Sequence, residues 1–569
     1  MARMSKRKRL VLEAILGVAV GACLSVVFIQ LRPQLANLKR DREARRQTIS
    51  LVESAKARVL EPVNARPRPF DMRAIVFLPR LYKIPEVIQS GGTPAGFAVG
   101  DGTLIATAFH CVEPLQQKAR TGALAKPLVI SPYYGDVFEA EIVAVDREAD
   151  LAILRAPWTS HPAFALASER EFAEATELAA VGFPPAELFK DIPVSIGRSP
   201  AMETAPVLKL DPASKSETYV VGAVRHAGPG WSGSPMVLPE SGKIGGILVT
   251  QHIHNIEDKI LVKDLRGCGA PVIRSLLEHG GLAEGARHAE TAGPSPPDAD
   301  RAFSAILDSV EAMHRADMEC ATRRAAELVE LRPLSCVSRI LYAWFAEIRR
   351  DELARKGEDI EFPAVDTLRQ SVELAPRSAM ARAALGELLC YEERYDEALE
   401  HLHVAVELDP DLVFARMFQM RALRGKSPVD AESAGRRFVQ AMPECGELWL
   451  ELALALDEQD KHEEASEAAQ KALDLEFSAC QRTCLACSIA YQGRPEEFEK
   501  HIRRVAETHD CEVYWFSLAA LLADLSPDRT EEALKALETA EAHIWSGSDL
   551  PEPFKALRQK LGTAAQLDR

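Results

Sequence analysis

Gly228-Pro229-Gly230-Trp231-Ser232-Gly233-Ser234-Pro235 is the stretch whose reading decides the fold of the middle of this chain. Its three glycines and two prolines rule out a helix and demand a tight turn. Apolar runs flank it, YVVGAV at 219–224 and GGILVT at 245–250, and both read as strands. Ser232 is thereby presented on a turn between two strands. The neighbouring glycines let the backbone aim amide N–H groups at one point beside the hydroxyl.

Two further spots lie upstream. Thr107-Ala108-Phe109-His110-Cys111-Val112 closes the apolar run TLIATA (103–108), and Asp146-Arg147-Glu148-Ala149-Asp150 leads into LAILRA (151–156). AIVFL (74–78), GFAVG (96–100), PLVI (127–130) and EAEIVAV (139–145) are similar short runs broken by Gly and Pro. Many short strands with turn signals predict an all-β barrel or sandwich over residues 70–280. The three spots supply matching chemistry. A Ser hydroxyl is a poor nucleophile until a base takes its proton. An imidazole is such a base, and a carboxylate can orient it and stabilise its cation. Any one of these motifs is common; the weight lies in their order and their strand contexts.

The order His, Asp, Ser in these contexts resembles the chymotrypsin-like (trypsin-fold) serine peptidases, and among them the bacterial Deg-type branch. Ala180-Val181-Gly182-Phe183-Pro184 is similar to that branch's strand with a Gly-aromatic-Pro turn, and Gly245-Gly246-Ile247 to the strand after its nucleophile loop. The resemblance implies an all-β double barrel of trypsin type and a serine endopeptidase acting on protein or peptide substrate. It implies His110, Asp150 and Ser232 as catalytic residues and the backbone N–H groups of Gly230 and Ser232 as the oxyanion hole. It also places His226 near the base of the first specificity pocket, with Thr250 and Gln251 at its wall. The chain departs from the family in three ways. Cys111 has no partner Cys within 70–110 and is expected as a free thiol. No Ile-Val-Gly-Gly start is present, and helices replace the PDZ domains that usually follow a Deg-type barrel.

The ends of the chain read differently. Residues 1–9 carry five Lys and Arg, and 10–31 (LVLEAILGVAVGACLSVVFIQL) are almost wholly apolar. A helix of that length spans about 33 Å, enough for a bilayer core. A single-pass transmembrane signal anchor is expected, with the bulk of the chain extracytoplasmic (periplasmic in a bacterium). Residues 32–69 read as a stalk and linker, and 281–300 as a flexible linker. Beyond it, AMARAALGELLCYEERYDEALEHLHVAVELDPD (379–411) resembles the tetratricopeptide repeat, with Pro376, Pro410 and Pro443 closing successive units. A C-terminal all-α superhelix over 301–545 is expected, with a capping helix and tail over 546–569. Its concave face is expected to dock a partner protein.

The formal net charge of −16 argues against nucleic acid as a partner. The 11 Cys are odd in number and lack the spacing of a disulfide-stapled domain. Cys480, Cys484 and Cys487 share one helix face but have no fourth ligand at metal spacing, so core packing is expected, with no metal or cofactor. The rival to an endopeptidase is a catalytically silent, membrane-tethered scaffold whose helices do the work. Activation of Ser232 separates the two.

Overall fold

The computed structural model describes residues 61–62, 71–158, 161–182, 188–189, 192–193, 201–210, 219–224, 231–256, 259–282, 294–475, 480–543 and 552–567, interrupted at 80, 85–86, 91–92, 316, 356, 359, 361, 510 and 526. The expected membrane span at 10–31, the basic segment before it, most of the stalk, and His226 and Gly230 lie outside the described residues. Among the described residues no helix is long and apolar enough to cross a membrane.

Two antiparallel sheets form the β region. The first joins β2 (Ile75–Phe77), β5 (Ala95–Val99), β6 (Leu104–Ala108), β7 (Leu128–Ser131), β8 (Asp136–Glu139), β9 (Glu141–Asp146) and β10 (Leu151–Arg155), in the order β8-β7-β2-β5-β6-β10-β9. The second joins β1 (Glu61–Pro62), β11 (Glu177–Gly182), β14 (Ala201–Leu210), β15 (Tyr219–Val224), β16 (Pro235–Val237), β17 (Ile244–Ile256) and β18 (Lys259–Gly269), in the order β1-β14-β11-β16-β17-β18-β15. Strand β15 also pairs with β14, which closes this sheet on itself. Two hairpins stand apart, β3 (Leu81–Ile84) with β4 (Val87–Ser90) and β12 (Leu188–Phe189) with β13 (Ile192–Pro193).

Strands β5 and β6 are buried along their whole length, as is LAIL of β10. Burial on both faces is why these segments read as continuous apolar runs instead of alternating ones. One set of alternate residues, Ile75, Phe97, Leu104, Ala106, Leu151 and Ile153, shares a core with Val181, Val237 and Ile247 of the second sheet. The other set, including Val76, Ile105, Val129, Ala152 and Leu154, packs under Trp158. All the runs read as strands from the sequence are strands. The hairpin at 81–90, the long β14 and β18, and α1 (Glu113–Arg120) lack such clear signals and were not foreseen. Helices α2 (Glu169–Ala173) and α3 (Ala270–His279) complete the β region.

Helices α4 (Ala299–His314), α5 (Met318–Leu331), α6 (Cys336–Arg355), α7 (Ala364–Leu374), α8 (Ala379–Tyr391), α9 (Tyr395–Leu408), α10 (Val413–Lys426), α11 (Pro428–Ala441), α12 (Gly446–Asp457), α13 (His462–Leu473), α14 (Cys480–Ala490), α15 (Pro495–His509), α16 (Glu512–Leu525) and α17 (Thr530–His543) follow, each packed on the next. Helix α18 (Glu552–Leu567) packs on α16 and α17. Alternate helices α8, α10, α12 and α14 begin 34, 33 and 34 residues apart. Gly386 lets α8 and α9 touch, since a Cβ there would lie 2.4 Å from Leu402 Cγ.

The helical array is not a free appendage. Phe77, Leu81, Leu124, Leu128, Ile130 and Val137 of the first sheet and its loops share one hydrophobic core with the helices. The buried Asp136 carboxylate accepts from Ser335 Oγ at 2.7 Å and Ser338 Oγ at 2.9 Å, both at the start of α6. Arg332 donates to the Tyr134 carbonyl at 2.8 and 3.0 Å, Ser378 Oγ donates to Glu139, and Lys126 pairs with Asp409. Residues 294–300, read as the end of a flexible linker, also pack here. Arg73 donates to Ser295 Oγ at 2.6 Å, and Gly135 abuts the Ala299 carbonyl. Residues 283–293 of that linker lie outside the described residues.

Candidate active site

Thr107 and Ala108 close β6, an inner strand of the first sheet, at its C-terminal end. Thr107 Oγ1 donates to the Ala95 carbonyl at 2.8 Å, fixing β6 against β5. A single 3-10 turn over Phe109–Cys111 follows and swings His110 out of the strand direction. Strand β10 pairs antiparallel with β6, with Leu151 opposite Ala108. Asp150, one residue before β10, therefore arrives beside the His110 turn. Its φ of 51° is left-handed, a conformation that Asp tolerates better than most residues. Asp146 Oδ1 holds the preceding loop by accepting the Glu148 and Ala149 N–H groups, each at 3.0 Å.

Three hydrogen bonds join Asp150 to the His110 turn. The Phe109 N–H donates to the Asp150 carbonyl at 2.9 Å and the His110 N–H to Oδ1 at 2.8 Å. His110 Nδ1 lies 2.6 Å from Oδ2. One carboxylate thus holds both the backbone and the ring of His110. The contact assigns a proton to Nδ1, so that in the neutral imidazole Nε2 carries the basic lone pair. The Asp150 hydrogen bond, helped by the neighbouring Cys111 thiol and opposed by partial burial, raises His110 to about 10. The His110 side chain is 42% exposed. Cys111 is a buried free thiol, as expected.

Ser232 sits at the seam of the two sheets. Trp231 is buried against Gly182. The Trp231 carbonyl accepts from Ser234 N–H at 2.9 Å, closing the turn. Gly233 N–H donates to the Leu248 carbonyl at 2.8 Å, and Leu248 N–H donates to the Ser234 carbonyl at 2.9 Å, pinning the turn to β17. From the first sheet, the Ala95 N–H donates to the Ser232 carbonyl at 3.0 Å. Gly233 has a φ of +83°, and a Cβ there would lie 2.0 Å from the Ala95 carbonyl oxygen. Only glycine fits.

His110 and Asp150 are brought together; the turn of Ser232 is seated on Ala95 and, through Gly233, beside Thr107 of β6. Among the hydrogen bonds of the described residues none joins Ser232 Oγ to His110. Thr250 is exposed on β17, opposite Arg266, and Gln251 is the next residue of that strand. Gly230 and His226 lie outside the described residues. Sequence reasoning missed Ala95 and the part of Gly233 in seating the turn. The Gly after Ser was visible in the sequence, but not the approach of the Ala95 carbonyl to it. Among the described residues no cluster of His, Cys, Asp and Glu is placed to hold a metal ion.

Residues 94–247 match the family model of the trypsin-like peptidase domain. The match takes in His110, Asp150 and Ser232 and stops short of the helical array that begins at Ala299. No curated protein matches the chain.

Proposed function

We propose that the chain is a membrane-anchored serine endopeptidase with His110 as general base, Asp150 as its orienting carboxylate and Ser232 as nucleophile. The observation that carries this reading is the double hold of Asp150 on His110, at 2.8 Å to the backbone and 2.6 Å to the ring. It stands inside a domain matched as a trypsin-like peptidase. His110 Nε2 takes the Ser232 proton as Oγ attacks the scissile carbonyl. Asp150 stabilises the imidazolium, which then protonates the leaving amine. Water enters by the same base and frees the acyl group. The developing oxyanion is received by the N–H groups of Gly230 and Ser232, a role supported by the glycine-rich turn and its resemblance. His226, Thr250 and Gln251 are proposed to shape the first specificity pocket.

Anchoring through 10–31 with the bulk extracytoplasmic is supported by the basic start and the apolar run. Tetratricopeptide identity for the helices is supported by the spacing of α8, α10, α12 and α14 and by the small residues at their contacts. A partner on these helices would use faces other than those turned to the first sheet.

The test is labelling of the full chain by a fluorophosphonate probe. Wild type labels and Ser232→Ala does not, at unchanged circular dichroism. Equal labelling of the two, or no labelling of either, removes the peptidase reading in favour of the silent scaffold.

A further inference from the structure

One contact of the helical array leads to the nucleophile turn. The β3–β4 hairpin leaves the first sheet after Leu78 and returns at Pro94, where the Leu78 N–H donates to the Pro94 carbonyl at 2.8 Å. The next residue is Ala95. Its N–H holds the Ser232 carbonyl, and its own carbonyl accepts from Thr107 and fills the space beside Gly233. The hairpin is also tied to the His110 side. Lys83 and Leu124 exchange backbone hydrogen bonds at 3.1 and 2.7 Å, and Leu124 lies just beyond α1, the helix that begins directly after the His110 turn.

The Lys83 side chain goes the opposite way. It is wholly buried, with Nζ 2.5 Å from Glu387 Oε1 on α8 and 3.0 Å from Glu347 Oε2 on α6. Burial pulls the lysine's pKa down, but Glu387 and Glu347 outweigh it and keep the ammonium charged. Burial holds Glu387 above the usual carboxylate range, against Lys83 and the more distant Arg421. A buried ion triad of this kind is seldom a net gain over apolar side chains of the same size. What it adds is register, because the ammonium has one place to sit. Here that place fixes the hairpin on two helices.

We propose that Lys83 is a positioning residue through which the helical array holds the hairpin, and with it Ala95 and the Ser232 turn. Its catalytic consequence rests on Ser232 being the nucleophile; its mechanical consequence does not. Lys83→Met in the full chain should speed amide hydrogen exchange at least tenfold in 81–90 and also in 231–234, where Gly233 N–H is bonded to β17. Fluorophosphonate labelling should slow at least tenfold, and peptide hydrolysis should lose kcat with KM nearly unchanged. Lys83→Met/Glu347→Gln/Glu387→Gln removes all three charges together, so that no bare pair of carboxylates is left to unfold the site. It should show the same joint change. A lysine that merely glued the array on would leave 231–234 and the labelling rate at wild-type values while 81–90 loosened, and that result overturns the proposal. So does slowed labelling with 81–90 still protected, and so does wild-type exchange at 81–90 in both variants. If the wild-type chain itself does not label, the peptidase reading has failed, and the exchange of 231–234 alone decides the role of Lys83.

Discussion

Gly233→Ala adds one methyl group and should nearly silence fluorophosphonate labelling at Ser232. The added Cβ would stand 2.0 Å from the Ala95 carbonyl oxygen, 3.0 Å from its carbon and 2.6 Å from Thr107 Oγ1. Contacts to backbone below 3 Å cannot be relieved by a rotamer change, so the turn or β5 must move by about 1 Å. The φ of +83° adds on the order of 1–2 kcal/mol for any residue with a Cβ. A shift of that size at a nucleophile costs about 10²-fold in rate. The stability loss should be on the order of 2–4 kcal/mol, the range of overpacked or strained buried sites. The assay is the second-order rate of fluorophosphonate labelling beside a denaturant melt. Labelling within threefold of wild type would show that the turn has slack, and would refute the seating of Ser232 by Ala95.

Three further outcomes are expected. Asp150→Asn should lower the labelling rate by about 10³–10⁴-fold by holding the wrong tautomer, and should move the inflection of the pH–rate profile downward from its raised wild-type position; an unmoved inflection would detach Asp150 from His110. His161 is buried, stacked on Trp158 at 4.4 Å and bonded to Ser131, and burial lowers it to about 4. The unfolded chain therefore takes up this proton first, and about 3 kcal/mol of stability is lost as pH falls from about 6.5 to 4; His161→Phe, less stable at neutral pH, should melt without that acid slope. Deleting 300–569 uncovers Phe77, Leu81, Leu128, Ile130 and Val137, on the order of 5–10 kcal/mol of lost burial, so the isolated barrel should aggregate or melt early; a soluble barrel of wild-type stability would contradict the shared core.

Much of the fold was legible because its signals are local. The runs around His110, Asp150 and Ser232 are short and apolar, and the turn residues between them permit only tight connections. The pair His110–Asp150 was readable from residue type and order, although nothing local announces that Asp150 reaches the His110 backbone as well as its ring. The docking of the helices was not legible. An apolar position such as Ile130 or Val137 signals that something covers it, not what does. Ser335 and Ser378 look like ordinary helix caps, yet they also meet Asp136 and Glu139 on β8. Lys83, in the run Leu81-Tyr82-Lys83-Ile84, looks like a solvent-facing charge in an edge strand, and its partners are some three hundred residues away in sequence, beyond the reach of any periodicity.

The shared core between the first sheet and the helices also sets an order of events during synthesis. Val137 leaves the ribosome well before Glu447, the helix residue that abuts Gly122. At about 5–20 residues per second, roughly three hundred residues of delay amount to about 15–60 s. Early in that interval, before residues 299–355 are made, the outer face of the first sheet has no helices to cover it, and Lys83 meets no carboxylate until Glu347 and then Glu387 emerge. The newborn barrel is thus both sticky and unlatched until the C-terminal half arrives. A nascent chain arrested before α8 should bind holding chaperones and label slowly with fluorophosphonate, so that seating of the Ser232 turn becomes a late step, timed by translation itself.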